Sequence, residues 1–455
     1  MATHPPAFRR PTHSSVTRLG RRLVATAAAA LLVVTLTPAT SAQAANRATP
    51  GNFTGFGFDQ CLTPKQSAMN AWLRHSPFWA VGVYTSGDSR ACRDQPNLTP
   101  KWVATQLRNG WRILPITLGP QASCSDRFPR YKDDEVINDS PTRKYRAARR
   151  QARAEADKAV AAAQRLGIVK GSTLWYDMEA YDISRTACRE SALYFTSAWT
   201  GRIRALGYVS GVYSSAGSHL KAMDDARVNR PKAFREPDRI WIARWDGVAN
   251  TSTSYLREDG WRPGGRMKQY LGGHDEVHGG VRINIDSNFL DLGKGSVAGN
   301  PASWCGGTRV NFRKYPKLRP GATGDTVTAA QCLLKSAGHY TGRLNGRMND
   351  RTVNAVKSYR SSLGMRPTRV VTRSVWVALH THGVDKSVAK YGAAGERVRR
   401  LQRALNAASK ERLAITGVFE GNTTAAVRRY QSRQRLPVTG VVTGRVWGRL
   451  INGEA

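Results

Sequence analysis

Hydrolysis of a glycosidic bond takes two carboxyl groups, one protonated to donate to the leaving oxygen and one ionised to stabilise positive charge or raise a nucleophile. The stretch Trp175-Tyr176-Asp177-Met178-Glu179 supplies such a pair, one residue apart. In a β-strand side chains alternate between faces. Trp175, Asp177 and Glu179 would therefore share one side, and Tyr176 and Met178 the other. At that spacing mutual repulsion helps hold one acid protonated near neutral pH. A bare Asp-x-Glu also occurs on solvated strand ends, so the elements around it have to decide its meaning.

Eight short apolar runs read as strands: Phe53 to Phe58, Trp79 to Tyr84, Trp111 to Leu118, Thr173 to Met178, Tyr208 to Tyr213, Arg239 to Ala243, Met267 to Leu271 and Val281 to Ile285. Helical patterns lie between them: Pro64 to Arg74, Thr99 to Asn109 with Pro100 at its first turn, an Ala-rich run from Thr142 to Leu166 closed by Gly167, and Arg185 to Leu206 closed by Gly207. Alternating strands and helices over about 240 residues predict a (β/α)8 TIM-type barrel. An open doubly wound sheet is the second choice, but Gly57-Phe58-Asp59-Gln60-Cys61 is not a Gly-rich phosphate loop.

A barrel places its active face at the carboxyl ends of its strands. Asp59 closes the first run, Asp177 and Glu179 the fourth, and Asp286 the eighth, so four acids would face one centre. Tyr84, Tyr181, Tyr213, Trp245 and Tyr270, at the same ends, offer flat faces on which sugar rings can stack. His274-Asp275-Glu276-Val277-His278 is read as a rim loop between glycines, and neither a metal nor another cofactor is expected.

The first 22 residues carry five arginines and no acid; the apolar run Leu23 to Leu36 and the small-x-small site Ala42-Gln43-Ala44 follow. This predicts a signal peptide over residues 1–45, with Arg21-Arg22 leaving a twin-arginine route open. A secreted, extracellular or wall-associated monomer without stable membrane insertion is expected. Six cysteines in an exported chain read as three disulfides. Loop adjacency favours Cys61 with Cys92 and Cys124 with Cys188, leaving Cys305 with Cys332. Net charge is +38, of which +21 falls in residues 306–455. Such a field favours polyanions, and export directs it towards anionic wall polymers and away from nucleic acid.

The composition turns to Gly, Ser, Asn and Pro over 293–304, which reads as a linker between a barrel domain at 46–292 and two copies of a smaller module, at 305–383 and 384–455. Gly324, Gln331, Gly346, Thr352, Ala355, Val356, Tyr359, Trp376 and Leu379 recur 71 residues later as Gly395, Gln402, Gly417, Thr423, Ala426, Val427, Tyr430, Trp447 and Leu450.

Phe56-Gly57-Phe58-Asp59, Trp175-Tyr176-Asp177-Met178-Glu179, Ile240-Trp241-Ile242-Ala243-Arg244-Trp245, Gln269-Tyr270 and Ile285-Asp286-Ser287-Asn288-Phe289 resemble the family 25 glycoside hydrolases, the Chalaropsis-type lysozymes. With Asn97-Leu98-Thr99, Gly272-Gly273-His274 and Gly279-Gly280-Val281 the chain is more similar still to the related actinobacterial glycoside-hydrolase-like family. The resemblance implies a Glu179 acid, an Asp177 partner, supporting acids Asp59 and Asp286, a sugar-binding Gln269, and muramidase action on peptidoglycan. The charged insertion Ser125 to Arg150 departs from the lysozyme pattern. The repeats resemble three-helix peptidoglycan-binding domains, most clearly in Val398-x-x-Leu401-Gln402 and Thr424-Ala425-Ala426-Val427-x-x-Tyr430-Gln431; Arg360 stands in the first copy where Gln431 stands in the second. Two functions follow: a secreted muramidase-like hydrolase, or a non-catalytic wall-binding protein that keeps the barrel.

Overall fold

Each of the eight apolar runs forms a strand, and the strands close into a barrel in chain order. They are β1 (Phe53–Asp59), β2 (Ala80–Ser86), β3 (Arg112–Thr117), β4 (Thr173–Asp177), β5 (Val209–Ser215), β6 (Arg239–Ala243), β7 (Gly265–His278) and β8 (Val281–Leu292). The structure, a computed structural model, describes residues 46–133, 135–301, 305–409 and 411–455. The expected signal peptide lies outside the described residues. Around the barrel run α1 (Gln66–His75), α2 (Pro100–Arg108), α3 (Arg130–Asp133), α4 (Thr142–Arg165), α5 (Thr186–Ala205) and α6 (Lys221–Asn229). Among the described residues no helix is long and apolar enough to cross a membrane.

β4 shows how sequence sets position. Trp175 points into the barrel against Trp241, with ring centroids 5.6 Å apart, while Tyr176 points outward onto Phe195 and Trp199 of α5. The Tyr176 hydroxyl donates to Pro120 O at 2.5 Å, so even its polar tip is satisfied in the buried layer. Period-two alternation thus sends Asp177 to the same side as Trp175, at the carboxyl end of the strand.

The barrel departs from the expected all-parallel arrangement at its seam. β1 to β7 pair in parallel with their chain neighbours, but β8 runs antiparallel to both β7 and β1. A parallel return would need a crossover of a dozen residues or more, and only Gly279 and Gly280 separate β7 from β8. Both glycines have positive φ, 60° and 77°, the conformation that a two-residue hairpin turn demands. His274 to His278, expected as a rim loop, is therefore the last part of β7, laddered to β8. Asp286 does not close β8 but lies midway along it, opposite Asp59. Strand register, not a strand end, carries this acid to the cleft.

The chain continues as two helical modules: α7 (Asp325–Ser336), α8 (Asp350–Ser362) and α9 (Arg373–Thr381), then α10 (Glu396–Ala408), α11 (Gly421–Arg433) and α12 (Gly444–Ile451). The recurring residues build the same interior twice. Gln331 donates to Thr352 Oγ1 and accepts from the Gly346 N–H; Gln402 does the same with Thr423 and Gly417. Trp376 and Trp447 donate to Pro316 O and Ser387 O at 2.8 and 2.9 Å. Arg360 in the first module and Gln431 in the second both tie their helix to the following loop, Arg360 to Arg366 O and Gln431 to Val441 O.

The second module is seated on the barrel. Lys390, 1% exposed, donates to Leu73 O and Ser76 O at 3.0 and 3.1 Å, satisfying carbonyls at the end of α1. Tyr391 packs edge-on against Phe56 of β1, and Arg399 donates to Ala298 O at 2.7 Å. Two of the expected disulfides are present, Cys61–Cys92 and Cys124–Cys188. Cys332 is also disulfide-bonded, while the Cys305 side chain lies outside the described residues.

Candidate active site

Asp59, Asp177, Glu179 and Asp286 meet in one cleft at the carboxyl ends of the parallel strands, beside Tyr84, Tyr213, Trp245 and Gln269. Asp59 sits at the floor, 4% exposed, and accepts from Asn288 Nδ2 at 2.6 Å and from Gln269 Nε2 at 3.3 Å. Both amides are oriented from behind: Trp241 Nε1 donates to Asn288 Oδ1, and the Tyr213 hydroxyl and Trp245 Nε1 donate to Gln269 Oε1. Gly82 of β2 leaves the space, since a Cβ there would lie 2.5 Å from that of Asp59. Burial first, and then the Asp286 charge, push the Asp59 carboxyl well above the usual carboxylate range. Asp286 is raised as well, chiefly by burial, against the Gly273 N–H donating to it at 2.5 Å.

Asp177 is 3% exposed and accepts from the Tyr84 hydroxyl at 3.3 Å; its other oxygen has no protein partner. Burial, then the charges of Glu179 and Asp59, push it well above its ordinary value. Glu179 follows the end of β4 and is held from two sides. Gln121 bridges the backbone, donating to Asp177 O at 2.9 Å and accepting from the Glu179 N–H at 2.8 Å. Its carboxylate pairs with Arg127 Nε at 2.8 Å and accepts from the Tyr131 hydroxyl at 3.4 Å. Burial raises the Glu179 carboxyl, and Arg127 and Arg130 oppose the rise.

Arg127, Phe128, Arg130 and Tyr131 were not among the expected site residues. They belong to the insertion, which folds over as one wall of the cleft, with Arg130 stacked 4.2 Å from the Phe128 ring centroid. The Cys124–Cys188 bridge pins the start of that wall beside α5, and the two basic–aromatic pairs Arg127-Phe128 and Arg130-Tyr131, soon after Cys124, were the available signal. Two expected sugar platforms are absent from the lining. Tyr181 is buried with its hydroxyl 2.8 Å from His219 Nδ1, because the strand alternation stops at Asp177. Tyr270 follows Gln269 on β7 and turns to the opposite face, where it bonds Ser287. Among the described residues no cluster suits a metal ion; His274 and His278 each direct Nε2 at Glu276.

A raised carboxyl has a stability cost. The folded state keeps the Asp177 proton at pH values where the unfolded chain has released it, so stability falls as pH climbs from the ordinary carboxylate range through the raised value. Asp177→Asn should therefore raise the thermal midpoint at about pH 7 and lose that advantage at about pH 3, where both states hold the proton. Melting curves at both pH values check this, and an equal effect at the two would refute it.

A family model described as Rv2525c-like, glycoside hydrolase-like domain matches residues 70–290. A peptidoglycan binding domain model matches residues 323–379 and again 394–450. An uncharacterized protein in the bpoA1 3′ region of Kitasatospora aureofaciens is 31% identical over 88 residues, 19% of this chain and 72% of that protein. Among solved structures, the Mycobacterium tuberculosis Tat-secreted protein Rv2525c in complex with L-tartrate has 14% identity over 53% of this chain and 97% of its own, with a TM-score of 0.34. The Clostridium perfringens spore cortex lytic enzyme SleM has 14% identity over 52% of this chain and 67% of its own, also at 0.34. The chain belongs, through its barrel, to the Rv2525c-like glycoside hydrolase-like family, and with two peptidoglycan binding domains behind that barrel its function concerns peptidoglycan.

Proposed function

We propose that the barrel hydrolyses glycan strands of peptidoglycan outside the cell, with Glu179 as general acid and Asp177 as the carboxylate that answers the positive charge developing on the sugar. One observation carries this reading. Glu179, with Arg127, Tyr213 and Trp245, lines two neighbouring cavities, one of about 320 Å³ that reaches Asp59 and Asp286 and one of about 310 Å³ that reaches Arg244 and Tyr255. A polymer lying across both would present a bond between sugars to an acid whose pKa burial has raised. For Asp177, the Tyr84 hydroxyl donating at 3.3 Å and the Arg127 charge favour the ionised form that the partner's role needs, against the burial that raises it. Asp59 and Asp286 hold the floor, and Trp245, 57% exposed, offers a stacking face to both cavities. Release of reducing ends from purified peptidoglycan is the test. None from several wall types would remove the reading.

The ion pair to Arg127 favours a second reading, in which the barrel only binds glycan, because a guanidinium 2.8 Å away favours the ionised form that cannot donate. The two readings part at Arg127→Gln. A general acid works below its pKa, so activity falls as pH rises past it. Loss of Arg127 removes the largest influence opposing the rise, so the falling limb of the pH–rate profile should move to higher pH. In a binding scaffold there is no rate to shift.

A further inference from the structure

The end of the barrel away from the acidic cleft carries the opposite charge. A cavity of about 520 Å³ opens where the amino-terminal ends of β2 and β3 and the carboxyl end of β8 meet the second module. Arg47, Arg108, Arg112 and Lys294 line it from the barrel and Arg397 from the module, with no Asp or Glu among the lining residues described. Arg397 is already paired with Asp385 at 2.7 Å. Among the described residues, no ion pair to a carboxylate is found for the other four cations.

Arg112 is the fixed point of the group. Its guanidinium lies 4.0 Å from the Phe53 ring centroid and 5.4 Å from that of Trp79, and it donates to Gly110 O at 3.3 Å. Held by those rings it does not swing out to water as a surface arginine does. Burial and the nearby Arg47 charge pull its pKa down to about 9, so the chain itself leaves positive charge here uncompensated. An anion entering the cavity would relieve that repulsion. Arginine forks match phosphate oxygens in pairs, and a cavity bounded by both barrel and module suits a strand that touches both.

We propose that this cavity binds phosphate groups of an anionic polyphosphodiester, which bridges the barrel and the second module. The site is separate from the acidic cleft, and the proposal stands whether or not that cleft hydrolyses glycan. The same phosphate chemistry could come from a free ion, so the experiment uses both sources: calorimetric titration of the protein, full length after export, with inorganic phosphate and with a soluble glycerol phosphate oligomer. The variant is Arg47→Gln, Arg108→Gln, Lys294→Gln, which spares Arg112 and its ring contacts. The control, Arg319→Gln, Arg343→Gln, Arg351→Gln, removes equal charge from exposed positions of the first module. Loss of three charge-assisted contacts should weaken oligomer binding about tenfold or more in the cavity variant, while the control stays within about twofold of wild type. Equal losses in variant and control, or none in the variant, would overturn the proposal. Inorganic phosphate binding as tightly as the oligomer would overturn the polymer as ligand.

Discussion

Glu179→Gln is expected to lower release of reducing ends from peptidoglycan by about 10²- to 10⁴-fold, the usual cost of losing a positioned acid. The amide keeps the volume of the acid and a group that can accept from Tyr131, so the cleft should hold its shape. What it lacks is a proton to give. The same variant should be retained on insoluble peptidoglycan as well as wild type, because the two helical modules and their Gln331 and Gln402 interiors are untouched. Asp177→Asn should be comparably harmful to rate, whereas Asp59→Asn and Asp286→Asn, at the floor, should be milder. A Glu179→Gln protein that cleaves as fast as wild type would exclude this residue as the acid.

Breaking the Cys124–Cys188 bridge should give the largest change in stability. The cysteines are 64 residues apart, and the chain entropy restored to the unfolded state by opening a loop of that length corresponds to roughly 4 kcal/mol. The paired variant Cys124→Ser, Cys188→Ser isolates it from the Cys61–Cys92 bridge, and urea unfolding of variant and wild type measures the difference. The bridge also fixes the wall that carries Arg127, so the variant should show the same upward move of the pH–rate limb as Arg127→Gln, in smaller degree. An unchanged urea midpoint would mean that the bridge merely links chains already held by packing.

Much of this architecture can be read along the chain because each signal is local. Apolar runs bounded by glycines become strands, and Asp177 faces inward because Trp175 does. The modules are legible for a similar reason: residues such as Gln402, which must bridge Gly417 and Thr423, tolerate little change of type. Direction is harder. Hydrophobic pattern does not report whether a strand runs up or down, and only the two-residue Gly279-Gly280 connection carries that information for β8. The wall over Glu179 is hidden because a charged insertion looks the same whether it is solvated or folded over a cleft. Gln269 and Tyr270 are instructive in another way, since adjacent residues on a strand cannot both face the same cavity.

The buried Lys390 has a mechanical meaning. A module that plugs the end of α1 and leans on β1 through Tyr391 is not a hook on a string. It behaves as the fixed jaw of a gauge, with the cleft as the other. On the proposed function, a second module gripping one part of the wall would let the cleft address only glycan lying at one offset and one angle from that grip, and moving to the next position would require the grip itself to let go.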